Sequence, residues 1–403
     1  MNSKRRSLGC NRVNKKTENI LFLTLLLSLC AFGAVILYSS SYVLAGSNRD
    51  LGFDKAFYLK KQVGGMLAGF VIFFLIQKVD YYWMKKIVPV LVLISIAGLT
   101  LVLFPNLGVN VKGAKRWLRA GPITIQPSEF SRFALIAYFA YLAEKRGDIF
   151  GKKLRDYIPP VAVWGIVVLL LLFEPDYGMA SVMGFLLLML LFYSGMNMIS
   201  LAALLGVFSA GFVGMIFASP YRMKRLFAFL DPQAHAHTSG YQVIQSLIGF
   251  ANGGFFGTGI GAGKQKLFYL PEIHTDFIFS VIGEETGFLG VLLIATLYLA
   301  LFILLLRIGR RSSDQFGKYF ALGTGISLVL CAFLNMGVCL KLLPPKGMVL
   351  PFISFGRSSM IAHLGAMGAV YKISSMGREK PVDESVDRWG WDRGARVPRV
   401  IDC

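Results

Sequence analysis

The stretch Pro271–Gly287, PEIHTDFIFSVIGEETG, is polar for six residues and then turns apolar while still carrying three acids at or within the apolar run: Asp276, Glu284 and Glu285. An ionisable group within a lipid-embedded segment is costly and is by default a functional candidate. A carboxylate there can accept a proton from an attacking hydroxyl, and Asp276 is the foremost candidate for that work. Thr275 is a suitable N-cap, so Asp276 is expected in the first turn of a helix, with Ser280, Gly283 and Gly287 on its face. That stripe of small groups suits the close approach of a second helix or of a lipid chain. A helix N-terminus favours the charged carboxylate, whereas a general base works best when tuned towards neutrality. Burial beneath the preceding loop would have to offset the dipole. His274, two residues earlier, is a hydrogen-bond partner for the acid rather than a metal ligand.

Cations are the second resource. Lys112, Lys115, Arg116 and Arg119 form one cluster, and Arg222, Lys224 and Arg225 another. Such groups either touch lipid headgroups or bind a phosphorylated substrate, since Arg and Lys pair well with phosphate oxygens. Trp117, beside the first cluster, suits an interfacial anchor or a stacking surface for a sugar. Downstream, Pro127 can open a helix, placing Glu129 in its first turn and Arg132 three residues on, within pairing distance. The turn Glu174-Pro175-Asp176 either faces solvent or balances the basic clusters in one cavity. The run Gly257–Lys264 is not a P-loop, because Thr258 replaces the first glycine and Gln265 follows the lysine. Its glycines allow tight turns that would bring backbone amides, Lys264 and Lys266 near a ligand.

The elements that must position these groups are membrane helices. The chain is 55% apolar and 16% charged, with a mean hydropathy of +0.60. Soluble domains carry nearer a quarter charged residues. Ten spans are expected, at 19–44, 63–77, 87–104, 128–143, 158–173, 178–193, 197–218, 277–306, 316–340 and 348–373, several of them short or broken by Gly against the ~20 residues a bilayer requires. The fold class is therefore all-α and polytopic, with one long structured extracytoplasmic loop at 219–276. A basic segment (1–18) precedes the spans and a charged, disordered tail (374–403) follows them. Lys and Arg are more numerous on the side of the N-terminus, which places both termini in the cytoplasm. The two clusters then lie outside, against that rule, and imply an anionic ligand there. The net charge of +20 carries no sign of nucleic-acid binding, since no aromatics interleave as base-stacking platforms. Five cysteines without C-x-x-C spacing indicate neither zinc nor a disulfide framework.

The stretches GAKRWL with QPSE, EPDYG, SPYRMKRL, GYQVIQSL, QKLFYLPEIHTDFIFSVIGEETG and LLPPKGMVLPFISFGRSS resemble, in order and over about 20–373, the SEDS family (shape, elongation, division and sporulation). KLFYLPEIHTDFIF and the lysine of PPKGMVLP resemble its division branch more than its elongation branch. The resemblance implies a ten-helix glycosyltransferase of the bacterial plasma membrane. It would polymerise lipid II into β-1,4 glycan strands at the division septum, with a class B penicillin-binding protein and other divisome proteins as partners. The family's essential loop aspartate falls on Asp276, its RW tryptophan on Trp117, and its basic position after QPSE on Arg132, where Lys is more usual. Lys346 and Ser358 complete the candidate substrate-binding set with Lys115, Arg116, Glu129, Arg222, Lys264, Lys266 and His274. Dependence on Mg²⁺ or Mn²⁺ is implied by the resemblance alone. Three departures add cations: Arg357 in FGRSS, Lys341 for a usual glycine before LLP, and Lys115 for a small polar residue. Tighter binding of an anionic substrate is expected from them. A lipid II flippase, an elongation-type polymerase and a scaffold for division proteins are the alternatives.

Overall fold

The computed structural model describes residues 2–104, 107–111, 114–121, 123–147, 154–217, 220–236 and 240–376. Lys112, named above, and the tail from residue 377 lie outside the described residues. Among the described residues thirteen α-helices follow in order: α1 (Asn2–Ser47), α2 (Phe57–Lys78), α3 (Tyr81–Lys86), α4 (Val88–Leu103), α5 (Pro127–Arg146), α6 (Ile158–Phe173), α7 (Tyr177–Tyr193), α8 (Met198–Phe217), α9 (Pro220–Leu230), α10 (Tyr241–Gly253), α11 (Ile278–Arg311), α12 (Gln315–Cys339) and α13 (Arg357–Met376). Among the described residues, α1, α2, α8, α11, α12 and the segment ending in α6 are long and apolar enough to cross a bilayer, and α4 and α7 are shorter apolar helices. The two remaining expected spans correspond to α5 and α13, interior helices with many buried residues.

The core lies where α5, α12 and α13 meet their neighbours. α13 packs on α2, and α12 on both α11 and α5. Leu135, Ile136, Phe139, Leu328, Leu364 and Met367 are each at most 1% exposed. Local chemistry fits the boundaries of α5. Pro127 opens it, Glu129 occupies its first turn, Lys145 and Arg146 its last, and Gly147 ends it at φ +55°, as helix-end preferences require.

The structure departs from the sequence expectations in four places. A small antiparallel sheet precedes α5: β1 (Gly108–Val111), β2 (Ala114–Ala120) and β3 (Ile123–Ile125), in the order β1-β2-β3. The last expected span begins only at Arg357, because 341–356 is not helical. α11 does not run on as one straight rod. Gly287 adopts φ +64°, ψ −163°, and the chain there turns against the end of α10, with the Phe288 N–H donating to Gly254 O at 3.0 Å. Finally, the small face of α11 meets protein rather than lipid. The Ser246 and Ser280 hydroxyls bond across the α10–α11 seam, and a Cβ at Gly253 would lie 1.9 Å from Gly283 O. Of the two occupants expected for the stripe, the structure realises the helix, α10, and not the wall for lipid tails.

Candidate functional site

Asp276 lies two residues before α11, not in its first turn, and Phe277 is the N-cap position. Thr275 does not cap the helix. Its hydroxyl turns back to Glu272 O at 3.2 Å. The stretch is fixed instead through its carbonyls. Phe355 N–H donates to His274 O at 2.9 Å, the Ser354 hydroxyl to Thr275 O at 2.7 Å, and Asn335 Nδ2 to Asp276 O at 2.9 Å. Asn335 also donates to Met348 O at 2.6 Å. One buried amide thus ties the Asp276 segment to the 341–356 loop, a role its bland place in an apolar helix did not advertise.

The half-buried Asp276 carboxylate faces that loop. A Cβ at Gly347 would approach its Oδ2 to 2.8 Å, so a side chain there would force the carboxylate to shift. The neighbouring Lys346 reaches the α6–α7 turn, where its Cε would come within 3.0 Å of a Cβ on Gly178, and Asp176 Oδ1 within 3.3 Å of the same point. Burial lowers the Lys346 ammonium to about 8, with Asp176 opposing the shift.

The turn from Glu174 to Gly178 collects further cations. Arg116 donates to Pro175 O and places Nη1 3.9 Å from Asp176. It is the unpaired residue of a β-bulge. Val109 pairs with Trp117 and Asn110 with Lys115, so Arg116 is skipped, and a bulge re-aims a side chain in this way. Arg222 of α9 lies 3.8 Å from the Tyr177 ring centroid and donates to the Tyr177 hydroxyl. Asp176 itself caps α7, accepting from Met179 N–H at 3.2 Å. Glu174 is fully buried, and among the described residues neither carboxylate oxygen has a hydrogen-bond partner. Burial, and then the like charge of Asp176, raise its carboxyl to about 8, while Arg116 opposes. Of the two readings of this turn, the structure realises the balanced one: acids and cations share one cluster.

Other candidates fall elsewhere. Lys115 and Trp117 are half-buried on β2. Glu129 and Arg132 form an internal ion pair at 2.8 Å, with Arg132 1% exposed and also bonded to Cys331 Sγ at 2.8 Å. They are buried inside the bundle rather than set on an open surface. Ser358 is buried, its hydroxyl accepting from Gln126 N–H at 3.0 Å. The His274 ring packs between Tyr58 and Phe355, with centroids at 4.4 and 6.0 Å. Lys266 is 4% exposed and paired with Glu285 at 2.7 Å. Lys264 is exposed. Amides of the glycine-rich run are not presented to a ligand: those of Gly261, Lys264 and Gln265 bond to the carboxylates of Glu285 and Glu284. The amides of Thr258 and Gly259 bond to their carbonyls. Among the described residues no cluster of three or more His, Cys, Asp or Glu could hold a metal ion.

The fold and these motifs have counterparts. A protein of Geobacter sp. (strain M18) named probable peptidoglycan glycosyltransferase FtsW is 40% identical over 358 residues, covering 89% of this chain and 96% of the relative. One of the same name from Coxiella burnetii is 38% identical over 351 residues, covering 86% and 94%. Among solved structures, a chain described for the structural coordination of polymerization and crosslinking by a peptidoglycan synthase complex matches with TM-score 0.71 and 27% identity, covering 89% of this chain and 98% of that one. RodA, the rod shape determining protein of Thermus thermophilus, matches with TM-score 0.65 and 26% identity, covering 89% and 97%. Residues 19–379 match the FtsW/RodA/SpoVE family, described as cell cycle proteins, and the chain belongs to that family.

Proposed function

We propose that this chain is a peptidoglycan glycosyltransferase that polymerises lipid II, with Asp276 as general base. The observation that carries the reading is convergence. Arg116 from the sheet, Lys346 from the 341–356 loop and Arg222 from α9 gather on the Glu174–Gly178 turn, and Asp276 touches the residue next to Lys346. Cations set beside a carboxylate suit a reaction whose leaving group is a lipid pyrophosphate. The names of the relatives support the same chemistry.

In this mechanism Arg116 and Lys346 hold the pyrophosphate of the donor. Asp276 takes the proton from the GlcNAc 4-hydroxyl of a second lipid II as that oxygen attacks MurNAc C1. The C1–O bond to the lipid pyrophosphate breaks, and its growing charge is met by the same cations. Attack from the opposite face turns an α-linked donor into a β-1,4 linkage. The sheet end of the bundle, with the long 219–276 loop, is the extracytoplasmic face, which leaves both termini in the cytoplasm. The partner is a class B penicillin-binding protein; the synthase-complex chain similar to this one supports such an assembly. Other divisome proteins and the septum are the further setting.

The test is lipid II polymerisation by the purified chain with its partner, comparing wild type with Asp276→Ala. Polymer from the wild type alone is the expected result. Equal polymer from both would remove Asp276 from the chemistry. Headgroup translocation in vesicles without polymer would favour the flippase.

A further inference from the structure

Ten residues upstream of Asp276 stands a second, deeply buried ion pair that the proposed chemistry does not use. Lys266 Nζ lies 2.7 Å from Glu285 Oε1. The Ser39 hydroxyl of α1 donates to the same carboxylate, 2.7 and 2.8 Å from its two oxygens, and Lys266 also reaches Ser39 Oγ at 3.2 Å. Glu285 is 1% exposed and Lys266 4%. Alongside, Glu284 accepts from Lys264 N–H at 2.9 Å and Gln265 N–H at 3.1 Å.

A buried ion pair is weak evidence for stability, since desolvation offsets most of the attraction. Fixing register is the better-attested use. Here the pair joins α1, α11 and the loop at a single point, and the chain that leaves it runs directly to Asp276. That chain is tightly folded. Leu270 N–H returns to Gln265 O at 3.2 Å, Asp276 N–H to Glu272 O at 3.1 Å, and Leu270 and Ile273 are nearly fully buried. Phe268 and Glu272 stand at φ +67° and +54°, a conformation that costs a residue bearing a Cβ and persists only where the surroundings enforce it. The segment is clamped at its far end by Asn335, Ser354 and Phe355, and at its near end by this pair.

We infer that Lys266 and Glu285, held by Ser39, are positioning residues for the glycosyl-transfer reaction: they set the register of the 266–276 segment, and so where the Asp276 carboxylate stands. The inference rests on Asp276 being the base. A misplacement of about 1 Å can cost on the order of 100-fold in rate, so loosening this anchor would lower turnover more than it lowers substrate binding. Loss of stability alone would also lower apparent turnover through the folded fraction, so turnover is read per folded molecule and the loosening must be confined to this segment.

The experiment uses the full chain with its partner in lipid nanodiscs and lipid II as substrate. It compares Glu285→Gln, the milder Ser39→Ala and Asp276→Asn, reading kcat, KM and hydrogen exchange over 264–276. For Glu285→Gln we expect kcat to fall tenfold or more, KM to stay within about twofold, and exchange to rise in that segment while the helices stay protected. Ser39→Ala should do the same to a smaller degree. Asp276→Asn should lose turnover with exchange unchanged. Wild-type exchange in both anchor variants, or raised exchange with kcat untouched, would overturn the positioning role. Wild-type turnover by Asp276→Asn would instead overturn the catalytic assignment, and exchange would still decide whether the anchor holds the segment.

Discussion

At the scale of single residues, Asp276 was legible and its setting was not. An acid before an apolar run marks itself, whereas its fixation depends on groups distant in the chain: Asn335, Ser354 and Gly347. Lys266 illustrates the opposite failure. A lysine in a glycine-rich loop reads as a ligand group, yet this one is consumed by Glu285. Lys341 shows why a glycine is expected at its place. α12 ends in a Schellman motif, with Leu342 N–H donating to Gly337 O at 2.7 Å and Lys341 N–H to Val338 O at 3.2 Å. Lys341 occupies the left-handed position at φ +56°. A side chain costs free energy there that glycine does not. Lys341→Gly should therefore raise stability by about 0.5–1 kcal/mol, seen as a higher unfolding midpoint of the purified protein. A lowered midpoint would mean that its aliphatic stem packs usefully.

At the scale of elements, the decisive piece is the Glu174–Gly178 turn. Its residues were legible as two acids near a span end, but not as the point where β2, α9 and the 341–356 loop meet. The sheet was missed because its strands are short and carry the basic GAKRWL stretch, which shows no clean alternation of apolar and polar residues. Two outcomes belong here. With its carboxyl raised to about 8, Glu174 is mainly protonated at pH 7. Glu174→Gln, a shape match for the neutral acid, should keep turnover within about threefold, whereas a loss beyond tenfold would show that its charge is required. Lys346 loses its positive charge as pH rises through about 8. If it holds pyrophosphate, KM for lipid II should climb above pH 8, and Lys346→Met should raise KM and abolish that limb of the profile. An unchanged profile in Lys346→Met would remove it from substrate binding.

At the scale of the whole molecule, the helical membrane architecture followed from composition, since long apolar stretches in lipid have few alternatives to helices. The elements resisting a sequence reading are those stabilised by tertiary contacts rather than local pattern: the break at Gly287, the non-helical 341–356 loop and the seating of α10 on α11. Together they bring Asp276, more than sixty residues before Lys346 in the chain, against its neighbour Gly347. They also bring it near a cluster fed by two other segments. The claim that this assembly performs base-assisted glycosyl transfer is tested most directly by the rate of glycan formation in Asp276→Asn, measured at equal folded protein with the partner present. A general base typically contributes 10²–10⁴-fold, so a fall of about 100-fold or more is predicted, with lipid II still bound. Turnover within a few-fold of wild type would contradict it.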